Sequence, residues 1–410
     1  MAYDVERIRA GYPALADGRA WLDAGGGTQV PEAVIEAIGD AHRGGLSNLG
    51  GDHRASRRSG GIVAEARAAV ADLVGAPDPA GVVFGPSSTA LAYRFAEVLA
   101  DGWNPGDEVV VTQLDHDANV RPWVAVARRA GAVLRMAEVD PVTGELPAER
   151  VAELIGERTR LVAVTAASNL IGTVPDLASI TRRARAAGAV SFVDGVQHCP
   201  HEHVRLAELG ADFYATSAYK WAGPHLAAVV AADPGALEDL HPDKLAPSPD
   251  TVPERFELGT QPFAALAGLV AAVEHLADLD DAATGTRAQR LAVSRRAVRE
   301  HEDALAARLF DGLAELGGVV RHGAPRGRVT PTACFSVDGY TPAGLAGELA
   351  ARGLNVSSGH SYAWELVHAL GLGPAGAVRA SLAHYSLRQD VDRLLAALAE
   401  LTPANRPGHR

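Results

Sequence analysis

The stretch Asp212-Phe-Tyr-Ala-Thr-Ser-Ala-Tyr-Lys-Trp-Ala-Gly-Pro-His225 joins a short aromatic and apolar run to small and hydroxyl residues, and then to a lysine. Such a run reads as a buried strand whose far end delivers Lys220. Upstream, Ala189-Val-Ser-Phe-Val193 is a second apolar run, and it ends in Asp194. Open α/β sheets gather ligands beyond the carboxyl ends of their strands, so these two ends would hold an amine and a carboxylate over one pocket.

From about Val82 to Val230 the same pattern repeats. The β-rich runs Val82-Val-Phe84, Glu108-Val-Val-Val-Thr112, Val133-Leu-Arg-Met136, Leu161-Val-Ala-Val-Thr165, Val190-Ser-Phe-Val193 and Phe213-Tyr-Ala-Thr216 alternate with Ala/Arg-rich helical stretches. The alternation predicts an α/β fold with a mostly parallel sheet flanked by helices. A helical tract from Phe263 to about Leu316 follows, and its charged segment Arg287 to Arg299 would bridge two bodies. Beyond it a smaller C-terminal α/β unit is expected, with strands Ala333–Val337, Leu354–Val356 and Val378–Leu382 and a last helix from near Gln389 to Leu401. The expected division is an N-terminal segment, 1–20, packed on the small domain, a large domain, 21–285, a small domain, 286–402, and a flexible tail, 403–410.

With 410 residues and 47% hydrophobic composition the chain can bury a large core. A net charge of −12 and the lack of any sizeable basic stretch argue against nucleic-acid or anionic-membrane partners. The apolar run Phe263–Val273 is too short to span a bilayer and reads as a buried helix. Two cysteines, Cys199 and Cys334, make no disulfide framework, and no cleavable apolar leader is visible, so a reducing cytoplasm is expected. His198, Cys199, His201 and His203 match no standard zinc spacing, so no metal is expected.

Each remaining strand end carries a chemical candidate. A lysine paired with a carboxylate suits pyridoxal 5'-phosphate (PLP): the amine would condense with its aldehyde, and Asp194 would keep its pyridine nitrogen protonated. Gly85-Pro-Ser-Ser-Thr89 precedes the expected helix Ala90 to Leu99; Ser87 and Ser88 are either phosphate ligands or ordinary N-caps, and Ser217 could add a hydroxyl. His116 could stack on a flat cofactor or move protons. Asn169 could contact the cofactor or a substrate carboxylate, or merely cap a turn. Arg379 lies in an apolar strand and needs an anion, either a substrate carboxylate or an internal acid.

Taken together, Asp194-Gly-Val-Gln197, Ser217-Ala-Tyr-Lys220, Asp115-His-Asp-Ala-Asn-Val-Arg-Pro-Trp123, Ser168-Asn-Leu-Ile-Gly-Thr173, Glu257-Leu-Gly-Thr260 and Arg379-Ala-Ser-Leu-Ala383 resemble the class V aminotransferase family, in particular its cysteine desulfurase-like branch. The resemblance runs from Trp21-Leu-Asp-Ala-Gly25 to the final helix. It implies PLP fold type I, with a seven-stranded sheet in the large domain and a homodimer whose active sites lie at the subunit interface. It further implies that Lys220 carries PLP, Asp194 meets the pyridine nitrogen, Gln197 the phenolic oxygen and His116 the ring face. Ser87 and Ser217 would bind the phosphate, Thr260 would reach the neighbouring subunit's phosphate, and Asn169 with Arg379 would hold an amino-acid carboxylate.

Two departures follow from that resemblance. Desulfurases carry histidine before the lysine where this chain has Tyr219, whose phenol can still donate to a phosphate. Their catalytic cysteine belongs to a loop that is here Ser357-Ser-Gly-His-Ser-Tyr-Ala363, with Tyr362 in its place. His360 and Tyr362 become candidate substrate contacts, and Asp23 to Thr28, with three consecutive glycines, a close-approach loop. The expected activity is a carbon–sulfur lyase acting on an amino acid or its S-conjugate. Amino transfer, epimerisation, a desulfurase with an unusual thiol and a catalytically retired PLP-binding dimer are the alternatives.

Overall fold

The computed structural model describes residues 3–402. Its strands, in chain order, are β1 (Ala20–Trp21), β2 (Val82–Gly85), β3 (Glu108–Thr112), β4 (Val133–Ala137), β5 (Thr159–Thr165), β6 (Val190–Asp194), β7 (Phe213–Ser217), β8 (Ala227–Ala231), β9 (Val319–His322), β10 (Thr332–Val337), β11 (Leu354–Asn355), β12 (Ser357–Gly359) and β13 (Ala377–Ser381). A seven-stranded sheet in the order β2-β8-β7-β6-β5-β3-β4 forms the large body. All its neighbours run parallel except β8, which is antiparallel to both β2 and β7.

Helices cover both faces, which is why these strands read as continuous apolar runs. Val110, Val162, Val164 and Val193 point into one core layer, while Val109, Val111, Leu161, Ala163 and Phe192 point into the other. The register sets Thr165 beside Asp194 and Asp194 beside Ala215. β5 and β6 therefore finish level, β7 runs two residues further to Ser217, and the segments after them share one crevice.

The smaller body is a four-stranded antiparallel sheet, β12-β13-β10-β9. The long helix Arg287–Glu315 begins with a capping box of Thr286 and Gln289 and covers that sheet with Leu305, Leu309 and Leu313. The strand expected over Leu354–Val356 does not join this sheet; β11 pairs in parallel with β1. The N-terminal segment lies against the same body, with Tyr3 Oη donating to His384 O at 2.9 Å and Arg9 Nη1 to Tyr385 O at 3.1 Å. The tail expected at 403–410 lies outside the described residues. Among those described, no helix is long and apolar enough to cross a membrane.

Candidate active site

β7 ends at Ser217 and the chain turns at once through Ala218–Lys220, which delivers the lysine just beyond the sheet. Asp194 closes the neighbouring strand. Both are buried, and they line one cavity with Ser88, Thr89, His116, Thr165, Asn169, Gln197 and Tyr219. Burial, helped by Arg379 and opposed by Asp194, brings the Lys220 amine down to about 7. A large unprotonated fraction is therefore available near neutral pH, as a nucleophilic amine requires. Burial also pushes the Asp194 carboxyl above the ordinary range, against the Val196 N–H at 2.9 Å and the lysine charge.

His116 is held by a turn that the sequence partly concealed. Asp115 is fully buried between Thr112 and Asn119, whose Nδ2 lies 2.7 Å away, and Asn119 Oδ1 accepts from Trp123 Nε1 at 3.1 Å. Burial raises Asp115 to about 8 and lowers His116 to about 4, so at neutral pH the imidazole is uncharged. An uncharged flat ring on this wall suits stacking on a heteroaromatic ligand. Its centroid lies 5.5 Å from that of Tyr362.

Arg379 reaches in from β13. Its Nη1 donates to Asn169 O at 2.8 Å and its Nη2 to Ser357 Oγ at 3.3 Å, while Nε has no partner within the chain. Among the described residues it makes no ion pair, although the buried Asp23 favours its charge through space. Asn169 Nδ2 donates to Ser361 O at 2.7 Å, which fastens the large body to the loop carrying His360 and Tyr362. Tyr362 is 65% exposed, adopts a left-handed φ of 57°, and accepts the Asp117 N–H at its backbone oxygen at 2.7 Å. His360 Nδ1 accepts the Tyr362 N–H at 2.9 Å; neither residue lines the lysine cavity itself, and Tyr362 approaches it through the His116 ring.

The glycine loop lies against the lysine, whose amine donates to Gly25 O. A Cβ at Gly25 would stand 2.9 Å from Ser381 Oγ and 3.0 Å from Arg379 Cζ, and one at Gly27, with φ +145°, 3.0 Å from the Tyr219 ring. Only glycine permits this approach. Tyr219 itself stacks on His225, with centroids 4.9 Å apart.

The serine candidates separate. Ser87 is the N-cap of the helix Ser88–Leu99, its Oγ accepting from Ala90 N at 3.1 Å, whereas Ser88 and Thr89 line the lysine cavity. Thr260 is exposed and lies away from that cavity, beside a larger one of about 480 Å³ lined largely by apolar groups. Some of the unsatisfied buried polar atoms belong to residues at or beside the lysine cavity, while others lie elsewhere, at Arg94, Thr173, Arg255, Arg295, Glu302 and Arg328. Ser217 Oγ, Asn169 Oδ1, Gln197 Oε1 and Arg379 Nε are all buried without a partner in the chain. Each such atom costs roughly 1–3 kcal/mol unless a ligand satisfies it. A phosphorylated heteroaromatic aldehyde fits this set: an amine for the aldehyde, a buried carboxylate for a ring nitrogen, hydroxyls for the phosphate and a neutral ring for stacking.

The two cysteines are buried and free, and His198 and His201 have structural partners. Cys199 and Cys334 are each 0% exposed; burial raises both thiols, Cys334 to about 12. Such thiols are poor nucleophiles. His198 Nδ1 lies 3.0 Å from Tyr214 Oη and His201 Nδ1 2.9 Å from Glu302 Oε2. Among the described residues no three potential ligands gather around a metal position.

The family model described as Aminotransferase class-V matches residues 20–394. An uncharacterized protein of Mycobacterium tuberculosis is 38% identical, over 98% of this chain and 100% of its own length. A probable cysteine desulfurase of Pseudomonas aeruginosa is 36% identical, over 95% of this chain and 96% of its own. The solved cysteine desulfurase CsdA of Escherichia coli superimposes with a TM-score of 0.83 at 29% identity, over 98% of this chain and 100% of that one.

Proposed function

Because the chain belongs to the class V aminotransferase family and is a PLP-dependent enzyme, we propose that it cleaves the Cβ–sulfur bond of a cysteine S-conjugate by β-elimination. PLP, when bound, supplies an electron sink for charge developing at the substrate Cα. The reading is supported by the segment Ser357–Ala363, which is tied to Asn169 and Arg379 and contains no cysteine, and by the full burial of both cysteines.

In this reading Lys220 would hold the cofactor, and its free amine would be the base for the substrate Cα proton. Asp194 would meet the pyridine nitrogen, His116 the ring face and Gln197 the phenolic oxygen. Ser88, Thr89 and Ser217 receive the phosphate; Ser87 caps the helix that presents them, and Tyr219 adds a phenol donor. The Arg379 fork grips the substrate carboxylate with Asn169 beside it. His360 and Tyr362 wall the leaving-group side. Electrons from the Cα–H bond form the new double bond, the Cβ–S bond breaks, and the sulfur leaves as thiolate and is protonated; water then releases keto acid and ammonia. Exposed Thr260 belongs to a homodimer interface, reaching the phosphate of the second subunit, and the composition suits a cytoplasmic enzyme.

Incubating holoenzyme with a panel of S-alkyl and S-aryl cysteines tests the proposal. Equal amounts of keto acid, ammonia and thiol support it. Accumulation of the amine form of the cofactor would identify a transaminase instead.

A further inference from the structure

Gln197 lines the lysine cavity and is almost fully buried. Its Nε2 lies 3.3 Å from His201 Nε2 and 3.5 Å from Thr332 Oγ1, and its Oε1 has no partner in the chain. The opposite nitrogen of His201 lies 2.9 Å from Glu302 Oε2. His201 and Glu302 are buried as well, and Glu302 belongs to the long helix Arg287–Glu315 that runs between the two bodies.

The chemistry of this row leaves one free choice. A carboxylate only accepts, so His201 Nδ1 carries a hydrogen toward Glu302. When Nε2 is bare it accepts from the Gln197 amide N–H, and the carboxamide turns its oxygen toward the cavity. When Nε2 is protonated it donates to the Gln197 oxygen, and the N–H group turns toward the cavity. Thr332 tolerates either arrangement, because a hydroxyl both donates and accepts.

We infer that Glu302 and His201 form a buried relay that decides whether Gln197 offers the cofactor's phenolic oxygen a hydrogen-bond donor or an acceptor, and so sets that oxygen's ionisation. A donor stabilises the ionised oxygen and an acceptor the protonated one. The inference rests on the PLP assignment and the place given to Gln197, not on which bond is broken afterwards.

Other charged groups surround His201. Arg295, on the Glu302 helix, donates to Pro200 O at 2.6 Å and opposes a charged imidazole. His198 and Glu202 flank it on its own loop, and His384 approaches from the segment after β13. Burial keeps His198 and His384 uncharged. Glu202 is engaged by Arg328. Glu302 is the acid in hydrogen-bond contact with the ring.

The test is a pH titration of the visible absorbance of purified holoenzyme, which needs bound cofactor but no turnover, so failure of the lyase reading leaves it intact. Glu302→Gln withdraws the charge favouring Nε2–H and should raise the midpoint by about one pH unit, a tenfold change in the ionisation equilibrium. His201→Asn should shift it in the same direction and decides alone if Glu302→Gln fails to fold. Glu202→Gln, which removes a nearby charge without touching the relay, should leave the midpoint in place. Wild-type midpoints in both relay variants, or an equal shift in Glu202→Gln, would overturn the inference.

Discussion

Arg379 and Asn169 meet across the cleft between the two bodies, the guanidinium donating to the asparagine backbone oxygen at 2.8 Å while the carboxamide holds the Ser361 carbonyl at 2.7 Å. This contact fixes a cation over the lysine cavity without neutralising it. Replacing Arg379 by lysine keeps the charge but removes the planar fork. KM for the amino acid should rise roughly ten- to a hundredfold, as for a lost charged hydrogen bond, with kcat changing much less. Steady-state kinetics on one S-conjugate reads this, and an unchanged KM would remove Arg379 from the carboxylate site.

The amine of Lys220, brought down to about 7, gives a pH dependence of known sign. The neutral amine is the attacking form, so cofactor uptake by apoprotein should accelerate as pH rises through about 7 and then level off. Asp194 holds the amine's pKa up, so Asp194→Asn should move that rise to lower pH while weakening retention of the cofactor. Stopped-flow absorbance on mixing apoprotein with PLP measures both. A rise centred near the ordinary lysine value would contradict the buried environment.

Gly25 packs where a methyl group would press on Ser381 and the Arg379 guanidinium. Gly25→Ala should cost about 1–3 kcal/mol of stability through overpacking and raise KM by displacing the guanidinium. Thermal denaturation and kinetics on the same preparation check the pairing of the two effects.

The proposed subunit interface predicts an assembly defect. Leu258 and Leu245 are 67% and 69% exposed near Thr260, and the proposed interface would cover them. Leu258→Glu should halve the mass measured by light scattering, and activity should fall with it, because Thr260 would no longer reach a second phosphate. A wild-type protein that is monomeric and fully active would end this account of Thr260.

The large body was legible because its inner strands are buried on both faces and therefore advertise themselves as apolar runs; only the edge strand β4 is half exposed. Lys220 and Asp194 follow directly from where those runs stop. β8, Ala227–Ala231, was not separated from the end of the pattern, since a run of alanine and valine is ambiguous without its antiparallel partners. Ser357–Gly359 has no strand propensity of its own and is extended only through pairing with β13. β11 was read as a strand, but its partner β1 lies at the opposite end of the chain. The resemblance gave the phosphate to Ser87, but the helix start uses Ser87 as its cap and leaves Ser88 in the cavity wall. The Glu302 contact to His201 spans 101 positions, and no local pattern signals it.

The most direct test of the central claim is to supply cysteine and an S-conjugate to holoenzyme in which both buried thiols are removed, Cys199→Ala with Cys334→Ala, and to quantify the organic products. The account predicts keto acid, ammonia and free thiol or sulfide at a rate close to wild type, and none of them when Lys220 is changed to alanine. Alanine as the product, with persulfide trapped on Cys199 or Cys334 of the wild type and activity lost in the double variant, would contradict it.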